Sequence, residues 1–391
     1  MRTLVRNIGT LVSGDIRQPV LDADSIVIRA GKIAAIGRGL DEDADVVIDA
    51  AQTTVMPGLI DSHVHPVFGD FTPRQRTMDF FDSAMNGGVT TAISAGEVHL
   101  PGRPRDIVGL KALAIVAAKA YANYRPGGVK VLAGAPILEL GLKESDFEEM
   151  GAAGVRLLGE IGLGSVNRAV DAAPMVGWAR KHGMTSTIHT GGPSIAGSST
   201  IDAEVVLETH PDVVGHINGG TTSMSTQEIE RLVGTDMALE IVQCGNVRTA
   251  LHTLRVATDA RATHRLILGN DAPSGTGVIP LGILRTLALL ASVGGMPAAE
   301  AVACATGNTA CVYKLDTGLI AAGRAGDLVI CDAPTGSVGK GALGALEAGD
   351  TPGISMVLVD GAITVGRSRN TAPAARAAVV LKGAVPGGGG H

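Results

Sequence analysis

The chain has 391 residues, of which 45% are hydrophobic and 18% charged, and its formal net charge is −6 at pH 7. This composition supports a large folded core and excludes an intrinsically disordered protein. The acidic charge is mild and no basic stripe interrupts it, which argues against a nucleic-acid partner. No apolar run reaches the roughly 18 residues that a membrane-spanning helix needs, and the first residues lack the apolar segment of a signal peptide. We therefore expect a cytoplasmic protein whose four cysteines are buried and reduced.

Both ends of the chain have the pattern of short strands. Residues 1–54 alternate β-type runs such as SIVIRAGKIAAIG with turns, and residues 318–366 repeat the pattern. This period and turn density is typical of small antiparallel strands. We expect residues 1–54 and 316–383 to meet as one small β-sandwich, followed by a flexible tail at 384–391.

The middle of the chain alternates strand-type and helix-type segments. One helix is predicted from Thr72 and Pro73, an N-cap followed by a first-turn proline, to the pair Gly87 and Gly88. Strands are predicted to start near Val55, Thr90, Val129, Val155, Met184, Val213, Met237 and Arg265. Each interval accommodates one strand–loop–helix–loop unit. The predicted fold is therefore α/β, with a (β/α)8 TIM-like barrel over residues 55–315.

Six side chains that commonly bind metals stand at the ends of five of these strands. They are His63, His65, Glu160, His189, His216 and Asp271. In such a barrel the carboxyl ends of the strands surround the catalytic face, so these side chains are expected to converge. The sequence thus predicts a metal centre, with His189 and His216 holding a second ion.

Each ligand type suits a distinct part of metal-assisted hydrolysis. His63 and His65 are two residues apart, so on a strand both imidazoles face the same side and can hold one cation. The two oxygens of Glu160 can each bind one metal ion, and neutral imidazole and carboxylate are ordinary zinc ligands. Asp271 can carry a proton from the attacking water to a leaving nitrogen. The residues alone predict a metal-dependent amide hydrolase.

Several motifs resemble the amidohydrolase superfamily. These are PGLIDSHVH at 57–65, GNDAP at 269–273 and GLIAAGRAGDLVICD at 318–332. The loop stretches ISAGEVHLPGRP at 93–104 and HTGGPSIAGSST at 189–200 are similar, more narrowly, to the enamidases, which hydrolyse cyclic enamides. Glu160 stands where many cyclic-amide hydrolases of the superfamily have a carboxylated lysine.

The resemblance implies more than the residues do. It implies two divalent ions, Zn2+ or mixed Zn2+/Fe2+, held by the six side chains above, with Asp271 also transferring the proton. It implies a homotetramer and a carboxylated cyclic amide as substrate, 6-oxo-1,4,5,6-tetrahydronicotinate, which yields 2-formylglutarate and ammonia. Arg74 and Arg103 follow the first two strands and are candidate anchors for the substrate carboxylate, because an arginine fork matches that group. His99 is a further candidate substrate contact.

Three alternatives stay open at this point. One is another chemistry of the superfamily, such as that of a dihydropyrimidinase, an imidazolonepropionase-like enzyme or a β-aspartyl dipeptidase. Another is a mononuclear deaminase, which does not need Glu160 as a bridge. The third is a non-catalytic barrel that serves in binding or assembly, although no candidate ligand is missing.

Overall fold

The computed structural model of the chain describes residues 1–66, 73–96, 103–193, 198–220, 222–273 and 279–384, with the backbone alone for 73–79. In chain order the strands are β1 (Arg2–Arg6), β2 (Thr10–Val12), β3 (Val20–Leu21), β4 (Ser25–Arg29), β5 (Lys32–Gly37), β6 (Val46–Asp49), β7 (Thr54–Pro57), β8 (Leu59–Val64), β9 (Val89–Ser94), β10 (Lys130–Leu132), β11 (Leu157–Ile161), β12 (Thr185–Ile188), β13 (Val213–Val214), β14 (Ala238–Val242), β15 (Leu266–Gly269), β16 (Leu328–Asp332), β17 (Gly353–Val359), β18 (Ala362–Val365) and β19 (Val379–Lys382). The helices are α1 (Pro73–Asn86), α2 (Ile107–Asn123), α3 (Glu144–Ala152), α4 (Ala169–Lys181), α5 (Ala203–Thr209), α6 (Thr226–Val233), α7 (Val247–Asp259), α8 (Gly282–Ala288), α9 (Ala298–Cys304), α10 (Gly307–Val312) and α11 (Gly341–Glu347). Among the described residues, no helix combines the length and the apolar character needed to cross a membrane.

The strands β8 to β15 pair in parallel and form two sheets. One has the order β10-β9-β8 and the other runs from β11 to β15 in sequence order. An isolated parallel bridge between Val64 and Ala272 links β8 to the chain just after β15, but the described pairings do not form one closed ladder. Helices connect most neighbouring strands, as parallel pairing requires. The structure is thus a mixed α/β fold with the strand-and-helix alternation predicted from the sequence.

Seven of the eight predicted strand starts lie within two residues of the observed ones, but the first prediction is wrong. The run from Val55 is two strands, because β7 ends at Pro57 and β8 begins at Leu59. Gly58, between them, passes so close to β9 that an added Cβ would lie 2.1 Å from Thr90 Oγ1. The strand β7 pairs with β2 and β16, outside the parallel sheets. Because the whole run is apolar, the sequence pattern does not show where the chain passes from one sheet to the other.

Two further sheets each combine strands from both ends of the chain. Their orders are β19-β6-β1-β4-β5 and β18-β17-β16-β7-β2-β3. A single hydrophobic cluster contains residues of both sheets, among them Ile28 and Ile48 of the first and Ile330 and Leu358 of the second. The expectation of antiparallel strands is only partly right, because β1 pairs with β6 and β2 pairs with β7 in parallel. The connections between these partners are long enough for crossovers.

A buried ion network joins the parallel strands to these outer sheets. Lys130 Nζ, on β10, lies 2.9 and 2.8 Å from the two oxygens of Asp327 and 2.6 Å from Asp360 Oδ1. Thr317 Oγ1 also donates to the buried Asp327 carboxylate, at 2.8 Å. Because breaking a buried pair leaves an uncompensated charge, this network constrains where β10 meets the outer sheets.

Three of the helices that follow the parallel strands begin at polar caps that the sequence supplies. The side chains of Asp202 and Asn246 accept from the backbone N–H groups of Val205 and Thr249, each at 3.0 Å, at the starts of α5 and α7. Before α6, Ser225 and Glu228 form a reciprocal capping box. Such caps satisfy the first N–H groups of each helix and end the loops that carry the candidate site.

Candidate metal centre

The six candidate ligands lie together at the carboxyl ends of the parallel strands. His63 and Glu160 belong to β8 and β11, whereas His65 and His189 come directly after their strands. His216 and Asp271 follow β13 and β15 after one intervening residue. All of these side chains are buried except that of Asp271, which is 19% exposed. The tertiary fold therefore gathers polar groups that the sequence separates by more than two hundred residues.

The first group consists of His63, His65 and Asp271. Asp271 Oδ1 lies 3.2 Å from His65 Nε2 and 3.7 Å from His63 Nε2. Within the described residues, His63 Nε2 is buried and has no hydrogen-bond partner. Two ligand atoms of a tetrahedral zinc ion, each bonded at about 2.1 Å, lie roughly 3.4 Å apart. The group therefore has a spacing and an orphaned nitrogen that fit a divalent ion.

The second group consists of Glu160, His189 and His216. Glu160 Oε1 lies 2.8 Å from His216 Nε2 and 3.8 Å from His189 Nδ1. The two imidazoles also approach each other, with His189 Nδ1 3.0 Å from His216 Nε2. The contact between the two imidazoles is a hydrogen bond, which bonds to a metal ion would replace. Two imidazoles and a carboxylate form a donor set that suits zinc or iron.

Glu160 stands between the two groups. Its Oε2 lies 3.6 Å from His63 Nε2 and 3.7 Å from His65 Nε2, while its Oε1 faces His189 and His216. Burial opposes ionisation, but the surrounding imidazoles hold the pKa of Glu160 well below its usual range. The residue is therefore an ionised carboxylate whose two oxygens address different sets of ligands.

Neighbouring acceptors select the tautomer of three of the four imidazoles. His65 Nδ1 lies 3.0 Å from the carbonyl oxygen of Gly96, and His189 Nε2 lies 3.0 Å from that of Gly192. A carbonyl oxygen can only accept, so in both rings this nitrogen carries the proton and the other one keeps its lone pair. His63 Nδ1 likewise lies 2.6 Å from Glu240 Oε2. The nitrogens left with lone pairs are those that face the candidate ion positions, as in known metal sites.

Glu240 is a member of the site that sequence reasoning missed. It lies on β14, is fully buried, and accepts hydrogen bonds from Ser62 Oγ and from the ring of His63. Burial disfavours a charged ring at His63, yet Glu240 and Glu160 raise its pKa well above the usual range. A signal was present, since Glu240 interrupts the apolar run MALEIV of a strand that carries no other charge. Such a residue needs a buried partner.

Asp271 is oriented by its backbone and by a thiol. Its φ is +54°, and its N–H donates to the carbonyl oxygen of His63 at 2.8 Å. Cys244 Sγ donates to Asp271 Oδ2 at 3.1 Å. Burial opposes ionisation, but His65 and the other imidazoles hold the pKa of Asp271 below its usual range. The expectation of four buried cysteines is wrong for Cys244, which is half-buried at the site, and for Cys311, which is exposed.

The strand β15 brings its backbone unusually close to β8. A Cβ added at Gly269 would lie 2.5 Å from the Cβ of His63, so only glycine leaves room for that ring. Just beyond it, Asn270 donates through its N–H and its side-chain Nδ2 to the buried carboxyl group of Asp61, at 2.9 and 2.7 Å. Burial raises the pKa of Asp61 to about 7 despite these bonds. The pair Asp61 and Asn270 therefore ties together the two chain segments that present His63 and Asp271.

The structure describes the candidate substrate-binding residues only in part. Arg103 is buried, and its Nη2 lies 2.7 Å from Glu139 Oε1 and 3.4 Å from the carbonyl oxygen of Leu163. Arg74 lies in the first turn of α1, and its side chain is not among the described atoms. His99 lies outside the described residues. The charge of Arg103 is thus already compensated within the protein.

Comparison with known proteins identifies relatives of this chain. The amidohydrolase family model matches residues 54–364. The enamidase of Eubacterium barkeri is 56% identical over 384 residues, which covers 97% of this chain and 100% of the relative. A crystal structure of an enamidase, described as a new member of the amidohydrolase superfamily, has a TM-score of 0.93 and covers the same shares of both chains.

More distant structures share the fold alone. The β-aspartyl dipeptidase of Fervidobacterium islandicum, solved with a β-Asp-Leu dipeptide, has a TM-score of 0.65 at 18% identity, covering 95% of this chain and 98% of the other. At this identity the likeness does not extend to chemistry. The family match spans well over half of the sequence and contains all six candidate ligands. The chain belongs to the amidohydrolase family.

Proposed function

We propose that this protein is a binuclear metal-dependent hydrolase of a cyclic enamide, 6-oxo-1,4,5,6-tetrahydronicotinate. The observation that carries the proposal is the position of Glu160, whose two oxygens face two separate groups of ligands. A mononuclear deaminase does not need this arrangement. The similarity to an enamidase over nearly the whole chain supports the same reaction class, hydrolysis of a carbon–nitrogen bond. We propose Zn2+, or Zn2+ with Fe2+, as the ions.

The reaction consumes water twice. The first water adds to the ring carbonyl carbon, the bond from that carbon to the ring nitrogen breaks, and a carboxylate forms. The nitrogen leaves as an enamine, which takes up one proton. A second water converts the enamine to an aldehyde and releases ammonia, so that the products are 2-formylglutarate and ammonia.

We propose that the chain's residues divide this work by position. His63, His65 and Asp271 would hold one ion and His189 and His216 the other, with Glu160 between them. Bound divalent ions activate water and polarise the carbonyl group. Asp271 is the proposed proton carrier, because it is the most exposed of the six and its Oδ2 points away from the imidazole of His65 toward Cys244. It accepts the proton of the attacking water and gives it to the leaving nitrogen.

We also propose a division of the chain into two domains and a cellular location. We propose that β8 to β15 form a (β/α)8 barrel within residues 55–315, less β7, and that residues 1–54 and 316–383 form a β-sandwich. The isolated bridge beside β8 and the cluster shared by the two outer sheets support this division. We further propose a cytoplasmic location.

We propose a homotetramer as the working assembly. Light scattering of the purified protein is expected to give a mass near four chains, and a monomeric mass at working concentration would contradict this.

Replacing Glu160 with glutamine tests the metal centre. The variant is expected to bind less metal, because a neutral amide cannot serve both ligand groups as a carboxylate does. Its kcat/KM is expected to fall roughly 100-fold or more, since metal ions contribute several kcal/mol to stabilising the transition state. Metal analysis and kinetics of Glu160→Gln and of Glu228→Gln, a helix-capping residue outside both ligand groups, provide the comparison. Full activity with two bound ions in Glu160→Gln would remove the bridging role.

The substrate is tested by following the ultraviolet absorbance of 6-oxo-1,4,5,6-tetrahydronicotinate. Metal-loaded protein is expected to remove the absorbance and release ammonia, because hydrolysis destroys the conjugated enamide. A chelator-treated sample is expected to be inactive and to recover when metal is added back. No loss of absorbance from protein that holds two ions would exclude this substrate while leaving the hydrolase assignment in place.

The proposed anchors of the substrate carboxylate are Arg74 and Arg103, with His99 as a further contact. A hydrogen bond between charged groups contributes about 1.5–3 kcal/mol, so Arg74→Met is expected to raise KM roughly 10- to 100-fold with little change in kcat. Arg103→Met is expected to raise KM less, because Glu139 already compensates its charge. His99→Ala is measured alongside them. Unchanged KM in all three variants would place the anchor elsewhere.

A further inference from the structure

We infer that Glu240 is a positioning residue that holds both groups of metal ligands in place through one carboxylate. The inference rests on the metal centre proposed above, but it concerns a residue that contributes no ligand atom to either group. Glu240 is fully buried on β14 and lies 2.6 Å from the ring of the candidate ligand His63. Its contacts reach one residue of each ligand group, which distinguishes it from an ordinary neighbour of a single histidine.

Three donors converge on this carboxylate. Its Oε2 accepts from His63 Nδ1 at 2.6 Å and from the backbone N–H of His216 at 3.2 Å. Its Oε1 accepts from Ser62 Oγ at 2.5 Å. His63 belongs to the first ligand group and His216 to the second. One oxygen of Glu240 is therefore shared between the two halves of the candidate centre.

The apolar surroundings of Glu240 explain why its carboxylate needs hydrogen-bond donors. Two residues earlier on the same strand, Ala238 packs in an apolar cluster with Ile60 of β8 and Ile267 of β15. Side chains two apart on a strand face the same side, so Glu240 faces the side on which Ala238 packs, and Ile267 is its register partner on β15. A buried carboxylate without partners is strongly unfavourable there. The three donors offset that cost, and in return the carboxylate orients the groups that donate.

The hydrogen bond to His63 determines which ring nitrogen is available. When Nδ1–H donates to Glu240, the neutral His63 ring carries its lone pair on Nε2, the buried nitrogen that has no hydrogen-bond partner in the described structure. The pairing of β8 with β9 is irregular between Asp61 and Val64. This irregularity coincides with the consecutive residues Ser62 and His63, which both direct their side chains to the same carboxylate.

The hydrogen bond to His216 constrains its backbone. His216 has a φ of +30°, a conformation that residues other than glycine rarely adopt. Its N–H is held by Glu240, while its Nε2 lies 2.8 Å from Glu160. Loss of the Glu240 carboxylate would free this backbone and release the His63 ring at the same time. Both ion positions should therefore weaken together when Glu240 is removed.

Substitutions of Glu240 distinguish the effect of its hydrogen-bond geometry from the effect of its negative charge. In Glu240→Gln the amide oxygen can accept from His63 and His216 while the amide NH2 donates to Ser62 Oγ, so the geometry is retained without the charge. Glu240→Ala leaves the His63 and His216 donors without a buried acceptor. Ser62→Ala removes the third hydrogen bond and leaves both ligand contacts in place, and Glu228→Gln, at a helix cap outside both ligand groups, is the control.

The experiment is a competitive titration of metal-free full-length protein with Zn2+ against a chromophoric chelator, followed by the absorption spectrum of the Co2+-loaded form. Loss of an outer hydrogen-bond partner of a metal ligand typically weakens binding about 10- to 100-fold. We expect about a 100-fold loss at both ion positions in Glu240→Ala, about a tenfold loss in Glu240→Gln, a smaller loss in Ser62→Ala than in Glu240→Ala, and wild-type affinity in Glu228→Gln. The Co2+ spectrum should shift in both Glu240 variants, which a change in stability alone would not produce.

The outcomes separate this inference from the proposed function. If the wild-type protein itself binds no Zn2+, the proposed metal centre fails and with it the basis for the inference. If the wild-type protein binds two ions and both Glu240 variants match it in affinity and Co2+ spectrum, Glu240 has no positioning role. Weakening confined to one ion would overturn the shared role, and if Glu240→Ala does not fold, the Glu240→Gln result decides.

Discussion

The candidate site depends on one physical constraint, the burial of an ionised carboxylate among four imidazoles. Glu160 is stable in that place only because positive or polar partners surround both of its oxygens. The same requirement explains why the imidazoles converge from strands far apart in sequence. In the absence of an ion, direct contacts such as the one between Glu160 and His216 partly offset the cost of burying this charge. Divalent ions would offset that cost for both ligand groups together.

The rest of the fold supplies the rigid frame that this arrangement needs. An apolar cluster that includes Ile60, Ala238 and Ile267 joins β8, β14 and β15, and Glu240 on β14 accepts hydrogen bonds from His63 and His216. At a greater distance, Lys130 and Asp327 tie the parallel strands to the outer sheets. Ligand geometry must be held to within a fraction of an ångström for metal catalysis, and packed strands provide that precision better than loops do.

The fold and the residues of the site carry different information about the activity. The distant structural relatives share the strand-and-helix frame with other substrates, so the frame alone does not select an activity. The discriminating features are local: Glu160 takes the place between the two ligand groups, and Asp271 is the ligand that reaches toward solvent. In folds of this kind, binding residues are commonly found on loops that a rigid frame positions.

The order of strands and helices was predictable from the amino-acid sequence, and the six candidate ligands were predicted from it, because apolar runs that end in a histidine or carboxylate are a local pattern. It did not predict that the run from Val55 divides at Gly58, since both halves are equally apolar and only the close approach to Thr90 separates them. It also missed Glu240, Cys244 and the ion pair of Arg103. Those roles come from contacts between residues distant in sequence, such as Glu240 with His63, and only the tertiary structure decides such contacts.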